Sequence, residues 1–465
     1  MQPSPDREFA AVDRIFQSGH LAEAQIRAEN ARSRLSENHY WTARFLIEEA
    51  KIRLYQGQSF EAIQLLRDSW TQEANDHDLR IDRFLILALA NLRIGNKSQA
   101  KEFLLEAEAL CDQTPIDTQK KGYVWSTEGI FAYNENHLRE ALALFQQSLE
   151  ASKVTGDRFL EAQTLLNLSA VALHQNHYED AILQSLAAAE IAQRIGAQQT
   201  VEVAQGNIGW AYYATGDYQR ALVNFNDATA SATILGSTID RETWKNVAGM
   251  TEARIGNLDA AQRHYESALA LARSLKNASE VSHVEQPLAS LLIHRDRPED
   301  AAPYINEAKR LAQQTGDASD IQFGNLLEAQ LLARNGNVAK ALTLLLAVEQ
   351  EAKPFPATRL EAEHTLAQIY EQADDKKHAQ IWFQRSIATY HSERSQLQSD
   401  DVRLPFFENG RDLYMDYVAY LIRNHRTDEA LDVIDQGRAE TLAEGLGLDN
   451  KSMRSEEHTS ELQSQ

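Results

Sequence analysis

Apolar residues recur along this chain three and four positions apart, as at Phe84, Leu85, Leu87, Ala88 and Leu92, and that spacing predicts helices. One stretch shows how the helices combine. Residues 200 to 236 read as two antiparallel helices joined by a tight turn at Thr215-Gly216-Asp217. Gly209 has no side chain at the crossing, so the second helix can approach closely, and Ala221 does the same from the other side. Tyr212 and Phe225 fill the space around that contact. Gly216 can take the positive φ that ends a helix, and Asp217 can cap the next. These are packing residues and do no chemistry.

The small residue of this hairpin returns at Ala24, Ala62, Ala100, Ala141, Ala181, Ala221, Ala261, Ala301, Ala341 and Ala379, mostly at intervals of 38 to 41. A looser copy follows at Ala430, after a gap of 51. Five residues before most of them stands a helix breaker: Gly19, Gly57, Gly95, Asn136, Asn176, Gly216, Gly256, Asp296, Gly336 and Asp374. A second series, Gly156, Gly196, Gly236, Asn277 and Gly316, marks the turns between hairpins. Two interleaved series at one period indicate a stacked array. Counting between turns leaves 16 to 18 residues per helix, so each helix spans roughly 25 Å.

The residues Ile208-Gly209, Tyr212, Gly216-Asp217-Tyr218, Ala221, Phe225 and Ala228 resemble the tetratricopeptide repeat. Trp125, Gly129 and Phe145 match the same pattern in an earlier copy. The period exceeds that family's usual repeat of about 34 residues. The resemblance implies an all-α, right-handed superhelical solenoid of about ten or eleven helical hairpins, with a concave face that binds other chains.

Taken in order, residues 1–112 hold less regular hairpins, 113–390 the regular solenoid and 391–449 a C-terminal helical segment. Helices are expected at about 9–17, 21–35, 38–56, 59–74, 77–94 and 97–111 before the regular region, after a loose polar start over 1–8. The copy around Ala181 has Ser185 where its neighbours have an aromatic residue. The hairpin around Ala301 carries Pro287, Pro298 and Pro303, which predict a local bend. Lys353-Pro354-Phe355-Pro356 sets off a hairpin over 357–390. Beyond it, Phe406-Phe407, Arg411-Asp412-Leu413-Tyr414, Asp428-Glu429-Ala430-Leu431 and the stretch from Gly437-Arg438-Ala439 to Leu446 resemble the helices that precede the caspase-like CHAT peptidase domain in bacterial repeat proteins. That resemblance implies a downstream domain outside this chain. Residues 450–465 are expected to form an unstructured tail. Within it Arg454 to Gln465, RSEEHTSELQSQ, lacks apolar periodicity and reads as a translated sequencing adapter.

The 46 Lys and Arg against 68 Asp and Glu give a formal net charge of −22. So acidic a chain lacks the basic footprint that nucleic acid requires. A single cysteine, Cys111, excludes an intramolecular disulfide framework. No apolar run is long enough for a spanning helix, and the opening MQPSPDREFAAVDRIF lacks the apolar core of a signal peptide. A cytoplasmic location without membrane contact follows.

Little chemistry is visible. Cys111 sits beside Asp112, and an adjacent carboxylate raises a thiol pKa, the wrong direction for a nucleophile. His174 and His177 straddle a turn with no third metal ligand nearby. There is no phosphate loop, dinucleotide glycine motif or CxxC, so no cofactor and no catalytic residue are assigned. The resemblance places a binding groove on the first helix of each hairpin. It carries over to Tyr123, Ile130, Tyr133, Asn134, Trp210, Tyr213, Asn246, Met250, Arg254, His294 and Arg334, with Asn207 one turn before Trp210. Aromatic, amide and guanidinium groups in that setting suit a protein or peptide ligand. The plainer reading is that Trp210 and Tyr213 pack against a neighbouring hairpin. Three functions stay open: a scaffold that senses or recruits for a downstream peptidase, a peptide-responsive regulator resembling bacterial pheromone receptors, and an enzyme with its site in the groove.

Overall fold

In the computed structural model, residues 4–70, 76–113, 118–275, 278–394 and 400–435 are described, and among them the regular structure is helix alone. The helices pair in chain order. The first four pairs are α1 (Pro5–Gln17) with α2 (Leu21–Arg34), α3 (His39–Tyr55) with α4 (Ser59–Asp68), α5 (His77–Arg93) with α6 (Lys97–Gln113), and α7 (Thr118–Asn134) with α8 (Leu138–Thr155). Next come α9 (Arg158–His174) with α10 (Tyr178–Ile195), α11 (Gln198–Thr215) with α12 (Tyr218–Leu235), and α13 (Thr238–Ile255) with α14 (Leu258–Leu275). The last full pairs are α15 (Ala278–His294) with α16 (Pro298–Thr315), α17 (Ala318–Arg334) with α18 (Val338–Glu351), and α19 (Pro356–Gln372) with α20 (Lys376–Arg394). Then α21 (Asp400–Arg423) is followed by a helix over 427–435.

Sequence and structure differ at some boundaries. Helix α1 begins at Pro5, so residues 5–8 of the supposedly loose start are helical: proline at the first helical position has its φ preset and lacks only an N–H that would go unbonded there. Helix α4 stops at Asp68, six residues before the expected end at 74. Pro287 lies inside helix α15, which continues beyond it to His294. The adapter-like tail and the stretch from Gly437 to Leu446 lie outside the described residues.

All ten breakers of the first series have positive φ, including the non-glycine Asn136, Asn176, Asp296 and Asp374 at 55 to 61°. Asparagine and aspartate tolerate that region better than other side chains because their short polar groups bond locally. Asn277 of the second series lies outside the described residues. The alanine series is the seam itself: each member from Ala24 to Ala379 is 0% exposed, and Ala430 is 3% exposed.

A second seam is set by size exchange between positions sixteen apart. A Cβ added at Gly129 would lie 2.5 Å from Phe145, at Gly209 2.7 Å from Phe225 and at Gly249 2.9 Å from Tyr265. The glycine is the socket for the ring, and burying such a ring contributes about 1.5–3 kcal/mol. Where the first position is Ala, as at Ala289 and Ala329, the partner position holds Ile305 or Leu345. In the fifth hairpin both positions are serine, and the Ser169 and Ser185 hydroxyls bond at 2.7 Å. There a hydrogen bond stands where the neighbours place a ring.

The chain divides into two compact units. The first comprises residues 1–175, 180–211 and 219–280; the second comprises 176–179, 212–218 and 281–465. Within the first, the opening hairpins return to much later ones. Phe16 meets Phe159 edge-on at 6.4 Å, and Gln163 donates to the Tyr55 hydroxyl at 3.2 Å. The turn at Gly19 lies against Leu235, and that at Gly57 against Ile239 and Leu275. Within the second, Phe383 stacks on Tyr417 at 5.3 Å, and Tyr390 occupies the space left by Gly410.

Candidate functional site

The first helices of successive hairpins touch side by side, and polar side chains join them at spacings close to the repeat. In the first unit this face has two characters. Its early part is charged. Lys51 on α3 lies 3.3 Å from Glu48 and 3.5 Å from Asp13 on α1. Lys120 on α7 pairs with Asp82 on α5. The Tyr123 hydroxyl donates to Asp157 at 3.0 Å, and Gln119 donates to the same carboxylate at 2.7 Å. Burial opposes the Lys51 charge, but Glu48 and Asp13 more than offset it and hold the ammonium pKa above its usual value. Burial, and then Asp157, push the Tyr123 phenol well above its usual value. This part is closed by its own ion pairs.

The later part is largely neutral. Asn167 on α9 donates to Ser126 at 3.4 Å, and Asn207 on α11 donates to Ser169 at 3.4 Å. The two amides are one period apart, and both are half-buried. Beneath them Trp244 on α13 fills the hollow over Gly206, where an added Cβ would lie 2.0 Å from its ring. Its indole N–H donates to Glu202 at 2.5 Å, and its ring stacks on Phe225 at 6.4 Å. Glu202 is 0% exposed. Burial and the neighbouring Asp240 raise its pKa to about 9, against the opposing pull of the Trp244 hydrogen bond. At neutral pH it is a protonated acid, which removes the cost of a buried charge.

The residues singled out in the sequence fall into both units. In the first, Tyr123 belongs to the charged part. Ile130 and Tyr133 are half-buried against the core of the fourth hairpin, with Tyr133 edge-on to His174 at 5.6 Å. Asn134 is exposed and donates to the Ile130 carbonyl of its own helix. Trp210 is half-buried and meets Phe225 of its own hairpin edge-on at 5.9 Å. Asn246 and Met250 are half-buried, and Arg254 is exposed in the last turn of α13. In the second unit, Tyr213 meets Tyr218 across the hairpin turn at 5.7 Å. His294 is exposed, and Arg334 lies 3.7 Å from Asp296 in an exposed pair. Trp210 and Met250 hold one register position, six residues before Gly216 and Gly256, with Asn207 three residues before Trp210; Asn246 stands where the preceding hairpin has Gly206.

Sequence reasoning missed Asn167, Glu202 and Trp244. Asn167 was findable, since it precedes Asn207 by one period of 40. Trp244 was not, because its socket Gly206 lies outside the repeating glycine series. Cys111 is buried at 6% exposure. No described helix is long and apolar enough to cross a membrane.

No family model matches the sequence, and neither does any curated protein. Several solved structures share its fold. A Rap protein complexed with Competence and Sporulation Factor superposes with a TM-score of 0.60 at 13% identity, covering 76% of this chain and 99% of that one. The Rap conjugation gene regulator of the plasmid pLS20, in complex with the Phr* peptide, gives 0.53 at 12% identity over 74% and 96%. The apo quorum sensor NprR from B. thuringiensis gives 0.52 at 15% identity over 74% and 98%. The class is thereby defined: this is an all-α helical-repeat protein of the tetratricopeptide-like kind. At these identities the likeness is one of fold.

Proposed function

We propose that the chain is a non-catalytic scaffold that binds an extended protein or peptide segment along the first-helix face of its first unit. The supporting observation is the pair Asn167 and Asn207, one period apart, half-buried and each oriented by a serine hydroxyl. Neighbouring helices lie about 8–10 Å apart, and an extended chain advances about 3.3 Å per residue. One amide per hairpin therefore meets the ligand backbone about every third residue. Side-chain amides both donate and accept, so they pair with a peptide bond in sequence-tolerant fashion. Trp210 and Met250, at one register position of successive hairpins, supply apolar contact.

Of the two non-enzymatic readings, the peptide-responsive regulator gains a specific support. The structures of the Rap protein and the pLS20 regulator that share the fold are complexes with Competence and Sporulation Factor and with the Phr* peptide. The other reading, recruitment for a downstream caspase-like domain, rests on the resemblance of 391–449 to the region before such domains. Both place the chain in the cytoplasm and assign it no peptidase activity of its own, Cys111 being buried at 6% exposure.

The test is selection of peptides on the immobilised full chain, followed by titration against Asn207→Ala and Trp210→Ala. Loss of a backbone-holding amide weakens binding by about tenfold or more. Unchanged affinity in both variants overturns the assignment.

A further inference from the structure

The left-handed turn residue of each hairpin gives a common register in the second unit: Asp296, Gly336, Asp374 and His425 all have positive φ. Ten residues before it stand Gln286, Leu326, His364 and Met415. The first three are covered by the hairpin that follows. Gln286 is 4% exposed and donates to the Asp320 carbonyl, Leu326 is 0% exposed, and His364 lies 3.0 Å from Asp416 on α21. Met415 is 62% exposed. Two further positions agree. Glu371 pairs with Arg423 at 2.7 Å, whereas its register mate Ile422 is 52% exposed. Gln380 accepts from Arg426 at 2.8 Å, whereas its mate Leu431 is 58% exposed.

At positions where the tenth hairpin meets the eleventh through polar groups, the eleventh presents Met, Ile and Leu. The opening hairpin handles its own free side differently. The register mates of Asp416 and Tyr420 there are Ala10 and Arg14, both exposed. That side is finished for water, as end hairpins of such arrays are. The side bearing Met415 is not.

We propose that this face of α21 and the helix 427–435 seats a further amphipathic α-helix of a polypeptide partner, laid down as α21 is laid on α19. It continues an interface that the chain already repeats, which fixes the shape of the occupant: an α-helix with an aliphatic or aromatic ridge at the three-and-four spacing. The charged Arg14 at the opposite free side does not supply such a ridge, so head-to-tail stacking of copies is disfavoured.

The test is a displayed library of single amphipathic helices panned on the full chain. Enriched helices are expected to lose about tenfold or more in affinity on Met415→Asp or Ile422→Asp, with Leu431→Asp as an independent third variant. All three side chains are exposed, so circular dichroism and Tm stay unchanged. Asn207→Ala leaves this binding intact, which separates it from the proposed peptide face. The idea fails if no helices enrich, or if those that enrich ignore all three substitutions. It also fails if sedimentation shows a dimer that Met415→Asp dissociates, which would assign the face to a second copy.

Discussion

Replacing Gly206 by alanine adds one methyl group where the ring of Trp244 already lies. Three ring carbons stand 2.0 to 2.4 Å from the new Cβ, well inside any allowed contact. Trp244 is 5% exposed and stacked on Phe225, so it has no vacant rotamer at hand. Overpacking of this kind costs about 1–3 kcal/mol. If the ring leaves, its hydrogen bond to Glu202 is lost, and an unmet buried acceptor costs a further 1–3 kcal/mol or so. Alanine's better helix propensity returns roughly 1 kcal/mol. The net expectation is destabilisation by about 3 kcal/mol, although a glycine-to-alanine change inside an exposed helix would stabilise. Urea unfolding, followed by far-ultraviolet circular dichroism and by tryptophan fluorescence, measures it. The fluorescence transition should come first, because loss in an array is local. Trp244→Leu alone also destabilises, but in combination the new methyl group fills part of the vacated space. The pair should therefore couple by about 1–3 kcal/mol. If the effects add within about 0.5 kcal/mol, or if Gly206→Ala is neutral, the socket argument is wrong.

Other expectations follow from the same contacts. Glu202 binds a proton in the folded state up to about pH 9, whereas an unfolded carboxyl releases it near its ordinary value of 4.5. Stability from this group is thus full below the lower value and falls as pH rises through that window. Glu202→Gln, which keeps the acceptor for Trp244, should raise Tm at pH 8 and do little at pH 4.5; equal effects at both would refute the protonation. Arg359 lies 3.2 Å from Glu349 and 3.1 Å from Glu363, which are 1% and 0% exposed. Arg359→Ala takes the guanidinium from both, leaving Glu349 with Gln350 and Arg385 and Glu363 with Thr389, and should cost about 1.5–3 kcal/mol in thermal unfolding near neutral pH. Ser185→Phe should destabilise, since Ser169 occupies the socket; adding Ser169→Gly should recover most of the loss, and failure to recover would deny that the two positions form one unit.

The array was legible because its punctuation is chemical. A positive φ at a tight turn admits few residue types, and ten turns in a row supply Gly, Asn or Asp at fixed places. A close helix crossing admits only a small side chain, which is why the alanine series predicted the seam. Helix ends were read less well. Pro5 looked like part of a loose start, yet proline favours the first turn as readily as it breaks the third. The composition of a short terminal stretch does not separate those cases.

The candidate site was less legible, for a reason visible at Trp210 and Trp244. Both are tryptophans on first helices, and both were equally available to inspection. The one that the repeat pattern assigned to the ligand meets Phe225 of its own hairpin, while the other lies buried over Gly206, bonded to Glu202. A repeat pattern tells which helix a residue rides on. It does not tell whether the neighbouring hairpin has left a hollow beneath it. That depends on one glycine some forty residues away, and glycines outside the repeating series carry no mark of their purpose. Asn207 belongs to the proposed face on different grounds: its amide is oriented by Ser169, a contact that fixes the group without covering it. Amides held in this way, one per hairpin, are what an array can offer to a backbone. The next member of that series, Val247 on α13, is an apolar residue 3% exposed, so the run of amides consists of Asn167 and Asn207.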